Sequence, residues 1–309
     1  MKETNENFNL SDDGLRVLSL CGGMETGLLA LMQLGIPIKE YHTYEILPEA
    51  IAVSSYHFPF VIHHGDMIGA DFTQFKGFDL VLAGCCCQSL SRVRIEDKSV
   101  NSGFDGKSGI FFEGVRALQE IQPKWFMFEN VVPSNDEDLQ IMNDMLGVKG
   151  ILINSNLFSC QDRERYYWTN ISIAPLPDSN TSVFKDVMCE NVDEKYFYKK
   201  DFDIIDVDKK VCATLKVNSM EMNKRIYNPN HKMATLTCIN GGYHEKKVMD
   251  HNRPRKLTEL EYERCQGLPD SFTDVLLNGK RLSYSKRCSL CGNGWTLPVI
   301  KHILNGITK

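Results

Sequence analysis

The 309-residue chain lacks any uninterrupted apolar run near the 18 residues that a membrane-crossing helix needs. Its opening stretch, MKETNENFNLSDDG, lacks the basic and apolar segments of a secretory signal. These absences predict a cytoplasmic protein with no membrane partner. In a reducing compartment its eleven cysteines are expected as thiols rather than as a disulfide frame. An excess of positive charge is also lacking: the net charge is −5, which argues against a polyanionic partner for the chain as a whole. No G-x-G-x-x-G follows the first strand, which sets a nicotinamide dehydrogenase aside. A C-x-x-C occurs at 288–291 and three adjacent cysteines at 85–87, but zinc normally takes two spaced pairs, and adjacent thiols cannot all ligate one ion. No metal is expected.

With 42% hydrophobic residues the chain can build one large domain and a smaller one. LRVLSLCGG reads as a buried strand entering a glycine turn, and METGLLALMQLGI as a helix closed by Gly35. EYHTYEI, FVIHHGD, FDLVLAG and KWFMFEN read as further strands, with helical spacing in PEAIAVSSYHF and GIFFEGVRALQEI between them. EDLQIMNDMLGV, GILINSNLF and RYYWTNIS continue the alternation. Such alternation over about 170 residues predicts an α/β domain with a mainly parallel sheet. The linker-like APLPDSN at 174–180 opens a stretch of weak periodicity and frequent turns, read as an irregular β-rich insert. TELEYERCQGL and LPVIKHILNGI are helical again. Charge is uneven. Residues 209–257 hold eleven Lys or Arg against three acids, +8 within a −5 chain, as phosphate contact would require.

Ligands of open α/β sheets sit beyond the carboxyl ends of the strands. There this sequence places CGGMETG, Glu45, Asp66, the cysteines 85–87 and Glu129-Asn130. An acid after the second strand can accept bonds from a ribose diol, and one after the third can face an adenine amino group; the other reading is a structural glycine turn. A thiolate can add to an electrophilic ring carbon while a protonated carboxyl group holds the ring nitrogen. Taken singly, a cysteine is a small buried hydrophobe and a glutamate after a strand is a cap or a surface acid. Arg163 and Arg165, two apart on a predicted strand, are expected to face one side and bind a base carbonyl and phosphates, or to form a surface ion pair.

In this order the motifs resemble those of the C5-cytosine DNA methyltransferase family. LSLCGGMETGLLAL resembles its first motif, Glu45 its second and GDMI with Asp66 its third; GCCCQS stands where the family has Pro-Cys-Gln. FENVV resembles its Glu-Asn-Val motif, QDRERYYW its Gln-x-Arg-x-Arg, and RKLTELEYERCQGLPDSFTD and GNGWTLPVIKHI its ninth and tenth motifs. RIYNPNHKMATLTCINGGY resembles the end of a target-recognition domain. The resemblance implies a Rossmann-like mixed sheet with helices on both faces, formed by residues 1–177 and 283–309 and binding S-adenosyl-L-methionine. It implies a smaller, irregular β-rich target-recognition domain at 178–282.

The same resemblance implies the roles. Cys87 is the nucleophile at cytosine C6, Glu129 engages N3, Arg165 binds O2, and Arg163 positions the loop and the nucleophile. The base is flipped out of the duplex, since stacking shields C6. Cofactor contacts fall to Cys21, Gly23, Thr26, Glu45, Ile46, Asp66, Met67, Ile68, Asn293 and Trp295. DNA contacts fall to Gln88, Ser89, Arg92, Lys232, Thr235, Lys246 and Lys247. Duplex DNA is the expected partner of a monomeric, cytoplasmic chain, in a prokaryotic cell or nucleoid-associated; the sequence names no restriction partner. Three positions depart from the family: Cys86 replaces Pro, Cys21 replaces Phe, and Gly22 replaces Asp or Ser. The last two are expected to loosen cofactor binding, whereas the intact Cys87, Glu129, Arg163 and Arg165 imply an active enzyme. The rivals are a tRNA cytosine-C5 methyltransferase and a catalytically weakened DNA-binding relative.

Overall fold

The structure, a computed structural model, describes residues 10–84, 109–133 and 135–307. By compactness the chain divides into two units. The first comprises Met1–Ile153, Glu164–Ala174 and Lys301–Lys309; the second comprises Asn154–Arg163 and Pro175–Ile300.

The first unit is built on a seven-stranded sheet. Its strands are β1 (Leu15–Leu20), β2 (Ile38–Tyr44), β3 (Ile62–His63), β4 (Leu80–Ala83), β5 (Trp125–Val131), β6 (Ile151–Asn154) and β8 (Glu164–Thr169), in the spatial order β3-β2-β1-β4-β5-β8-β6. The pairs β2–β3, β1–β2, β1–β4 and β4–β5 are parallel, and β8 runs antiparallel to β5. The central strands β1, β4 and β5 are mainly apolar because both faces of the sheet are covered there. Leu18, Leu20, Val81, Ala83 and Phe128 join one core cluster, while the alternate residues Val17, Leu80, Leu82 and Met127 are equally inaccessible. From β1 the chain steps outward to β2 and β3, then returns to place β4 on the other flank of β1. The order therefore reverses between β1 and β4, which opens a crevice beyond their carboxyl ends.

Helices α1 (Thr26–Gln33), α2 (Pro48–His57), α3 (Gly109–Ile121) and α4 (Asp136–Leu146) connect these strands. Pro48 opens α2, where a missing N–H costs nothing. The Asn135 side chain accepts the Asp138 N–H to start α4, and Gly147, at φ 68°, ends it. Phe111, Val115, Ala117 and Ile121 of α3 pack with Met142 and Leu146 of α4 in the same cluster as the strands. Among the described residues no helix is long and apolar enough to cross a membrane.

The second unit has a five-stranded sheet ordered β14-β13-β11-β10-β9. These strands are β9 (Phe202–Ile204), β10 (Val211–Leu215), β11 (Arg225–Tyr227), β13 (Lys247–Asp250) and β14 (Arg253–Lys256). A two-residue strand β7 (Gln161–Asp162) pairs in parallel with β12 (Met233–Ala234). This pairing brings 154–163 into the second unit. Residues 283–300 also fall there, whereas the sequence boundaries grouped both stretches with the cofactor domain. After Ile300 the chain rejoins the first unit, where Gly306 lies so close to the Ser172 carbonyl that a Cβ would sit 2.0 Å from it. Two helices escaped the periodicity reading: the single turn Glu221–Lys224 and Tyr284–Asn293, the latter started by the Ser283 side chain. The longer one matters more. Tyr284–Asn293 carries Cys288 and Cys291 fully buried, and burial pushes both thiols up. Among the described residues no group of three His, Cys, Asp or Glu could hold a metal.

Gly150 exposes how tightly the first sheet edge is packed. A Cβ there would lie 2.7 Å from the Trp168 indole, whose Nε1–H donates to Asn143 Oδ1 at 2.7 Å. Gly150→Ala is expected to destabilise the protein by roughly 1–3 kcal/mol, and combination with Trp168→Phe to recover part of that loss. Urea titration of the two single variants and the double variant measures the coupling. Strictly additive losses would refute the contact.

Candidate active site

β1 ends in a turn, residues 21–25, in which Cys21, Gly23 and Glu25 have φ of 53°, 59° and 58°. The turn is tied to the end of β2 by Glu45. Gly23 N–H donates to its Oε2 at 2.8 Å, and the N–H groups of Ile46 and Leu47 donate to its Oε1, each at 2.8 Å. Each carboxylate oxygen can accept about two bonds, so Oε2 keeps capacity for a hydroxyl. Ile46 and Ile68 are 60% and 61% exposed, unusual for isoleucine, and follow the ends of β2 and β3. Between them in chain order stands exposed Asp66, whose Oδ1 accepts the Ile68 N–H at 3.0 Å. A Cβ on Gly23 would meet nothing within 4 Å, so the turn leaves open space above it.

This donor set fits a nucleoside cofactor: an acceptor for a diol, two apolar side chains to flank a base, and a second carboxylate for an amino group. Thr26 and Met67, expected at this site, are buried, and Met67 takes its place in the core cluster with Cys21 packed against it. The Met67 side chain packs in the core. Asn293 and Trp295 belong to the second unit, where the Cys238 thiol donates to Asn293 Oδ1 at 2.7 Å.

At the end of β5, Glu129 lies opposite Tyr167 of β8, and Val131 lies opposite Arg165. Arg165 Nε stands 3.0 Å from Glu129 Oε1, with both side chains largely buried. The antiparallel register is what delivers this guanidinium to this carboxylate. β4 lies beside β5, with Ala83 opposite Phe128, one residue before Glu129. Cys87, Gln88, Ser89 and Arg92 lie outside the described residues.

Arg163 does not share a strand face with Arg165. Chain pairing breaks at this residue, between β7 and β8. Its side chain, in a residue 3% exposed, donates to the carbonyls of Leu236, Gly292 and Gly294 at 3.0–3.1 Å. Gln161 accepts the Leu236 N–H at 2.8 Å and donates to Gln266 Oε1, which also accepts the Thr296 hydroxyl. Sequence reasoning missed Gln161 and Gln266 as organisers. A glutamine carries little signal until its partners are known.

The basic stretch needs a larger correction. Lys247 is 1% exposed, donates to the carbonyls of Tyr243 and Glu245, and sits by the rings of Tyr198 and Tyr243. Burial pushes its amine down to about 8, and likewise that of half-buried Lys246. Lys232 donates to the carbonyls of Ser159 and Ser182, and the Thr235 hydroxyl to that of Asp162. Arg255 is buried against Asp250 and Glu261. Lys209, Lys210, Lys216 and Arg253 pair with Asp206, Asp162, Asp203 and Glu194. Except for Asp250, these acids lie outside 209–257, so the excess counted along the chain is mostly neutralised in space. Lys247 cannot face DNA, because its ammonium is used inside the unit.

The sheet order and the antiparallel β8 define an α/β, Rossmann-like methyltransferase fold. Solved structures share it: S. pombe Dnmt2 methyltransferase superposes with a TM-score of 0.71 at 16% identity, covering 94% of this chain and 97% of that one. The Entamoeba histolytica methyltransferase EhMeth gives 0.70 at 16% identity, covering 96% and 98%. Residues 15–309 match the model of the C-5 cytosine-specific DNA methylases, and the chain belongs to that family. Among similar proteins are the orphan methyltransferases M.Rho11sI of Bacillus phage rho11s and M.SPRI of Bacillus phage SPR, 32% and 33% identical over half of this chain. The matches span only 32% and 37% of those two relatives. A third, M.SPBetaI of Bacillus phage SPbeta, is 23% identical over 77% of this chain and 74% of its own length.

A guanidinium that serves three carbonyls cannot be replaced by a single ammonium. Arg163→Lys should therefore lower the thermal midpoint of the protein, and Arg163→Ala should cost about 1–3 kcal/mol for each buried carbonyl left without a donor, or prevent folding. Unchanged melting of both variants would show that these carbonyls need no donor.

Proposed function

We propose that the chain transfers a methyl group from S-adenosyl-L-methionine to C5 of cytosine in duplex DNA, through a covalent Cys87–C6 adduct on a flipped-out base. The observation that carries this reading is the Glu129–Arg165 pair at the end of β5, beside the strand from which the chain continues to Cys87. Glu45, Asp66, Ile46, Ile68 and the Gly23 turn would hold the cofactor. When bound, the cofactor supplies an electrophilic methyl group to C5.

The chain's own residues then act on the base. Arg165 holds O2 by hydrogen bonds to its planar fork. Glu129 donates a proton to N3, which draws electrons from C6. The Cys87 thiolate forms the S–C6 bond, and the electron pair released moves to C5, where the methyl group is accepted. A general base, or water acting as one, takes the C5 proton, the C5–H electron pair re-forms the C5–C6 double bond, the S–C6 bond breaks and the thiolate leaves, while N3 returns its proton to Glu129. Arg163 acts from the second unit as a fastener of the backbone and contributes no atom to the base. Residues 178–282 contact the target sequence, with exposed cations and Lys246 rather than Lys247 meeting phosphate.

Duplex DNA carrying 5-fluorocytosine at the target tests the reading, because fluorine cannot leave as the proton does. Wild type, Cys85→Ala and Cys86→Pro should form a stable adduct, whereas Cys87→Ser should form none, since a hydroxyl is a far poorer nucleophile than a thiolate. An adduct retained by Cys87→Ser and lost by Cys86→Pro would move the nucleophile by one residue. Trapping on fluorinated tRNA and not on DNA would reassign the substrate.

A further inference from the structure

The turn after β1 contains a group that this chemistry does not use. Glu25 ends the turn at the start of α1, is fully buried, and lies beneath the backbone rather than toward solvent. The Tyr41 hydroxyl of β2 donates to its Oε2 at 2.7 Å. Among the described residues, Glu25 Oε1 and Thr43 Oγ1 are buried without a hydrogen-bond partner. A Cβ on Gly22 would stand 2.0 Å from Glu25 Oε1 and 2.6 Å from both Ser19 Oγ and Thr43 Oγ1. Three oxygens thus converge on the space that a side chain at position 22 would fill. The glycine that departs from the family pattern is required by the carboxyl group below it.

That turn is also held in a conformation that L-residues avoid: Cys21 and Glu25 both have positive φ. Such a course persists only when its surroundings over-determine it. The groups that face Glu25 are Ser19 from β1, Tyr41 and Thr43 from β2, and Glu45 just after β2. None is a cation, so an ionised carboxylate there would be buried without a counter-charge. An uncharged carboxyl group can instead donate from Oε1 to a hydroxyl while Oε2 keeps the Tyr41 bond.

Given the methyl-donor reading above, on which this rests, we propose that Glu25 is a positioning residue whose uncharged carboxyl group fills the space beneath Gly22 and holds the turn so that Gly23 N–H reaches Glu45. Burial raises the Glu25 acid to about 7, with the charge of Glu45 adding to the rise. The advantage of the ordered turn is therefore full below the ordinary carboxyl value of 4.5 and is lost as pH rises from there through about 7. Cofactor binding that orders the turn takes up as much as one proton from solvent between those values and none well above them.

Calorimetry of the 309-residue chain with S-adenosylhomocysteine, from pH 4.5 to 8.5 in buffers of different ionisation enthalpy, reads both quantities. Wild type should lose affinity by up to about tenfold per pH unit between the ordinary carboxyl range and about 7, with uptake approaching one proton there, and should level off above it. Glu25→Gln, an uncharged isostere, should keep one affinity throughout and take up none. Tyr41→Phe removes a donor that favours the charged form and should move the midpoint to higher pH, which tests the idea even if Glu25→Gln does not fold. Equal slopes in wild type and Glu25→Gln would overturn the proposal and assign the proton elsewhere, as to His63, which burial holds below its usual range. Wild-type binding independent of pH would overturn it too. No binding by the folded protein at any pH would instead remove the methyl-donor reading itself.

Discussion

One carboxylate joins two turns at the ligand edge of the first unit. Glu45 accepts a backbone N–H from the turn after β1 and two from the turn after β2. The parallel pairing of β1 with β2 makes the joint possible, because it ends both strands at the same edge. Hydrogen bonds to a charged acceptor contribute about 1.5–3 kcal/mol each, enough to hold short loops that have little packing of their own. The same joint sets what the edge can bind. Backbone donors use one oxygen fully and the other in part, and the residues after each strand, Ile46 and Ile68, are left facing water.

The second unit solves a different problem. Its backbone is irregular, so many carbonyls have no strand or helix partner, and buried carbonyls must find donors elsewhere. Arg163, Lys232 and Lys247 supply them with cationic side chains. Gln161 and Gln266 supply them with amides. Much of the basic character of 209–257 is accordingly internal framework. A capping box at Thr258 and Glu261 ties into this framework, since the same Glu261 also receives Arg255.

The strands and their order of appearance were legible because a sheet buried on both faces demands mainly apolar runs, and LRVLSL, LVLA and the WFMF of WFMFEN are such runs. The helix at 284–293 was not, because its sequence, YSKRCSLCGN, is polar overall and earns its place by burying two cysteines. Glu129 and Arg165 were legible as candidates; that they meet depends on the antiparallel register of β8 on β5. Arg163 read as the twin of Arg165, yet the strand break between them gives each different partners. Glu25 carried no signal at all, since a glutamate before a helix is ordinarily a solvated cap.

By itself, then, the sequence determined the alternation of strands and helices, the family motifs in their order, and the residue types able to do chemistry on a base. Those properties are local, set by apolar spacing, turn residues and side-chain functional groups. Only the tertiary structure decided which charges remain available. Burial and pairing depend on acids and carbonyls far away in the chain: Asp162 reaches Lys210, Glu194 reaches Arg253, and the carbonyls of Gly292 and Gly294 hold Arg163. A charge counted along the chain is solvated by default, whereas in the fold its partners arrive from other elements and water is excluded.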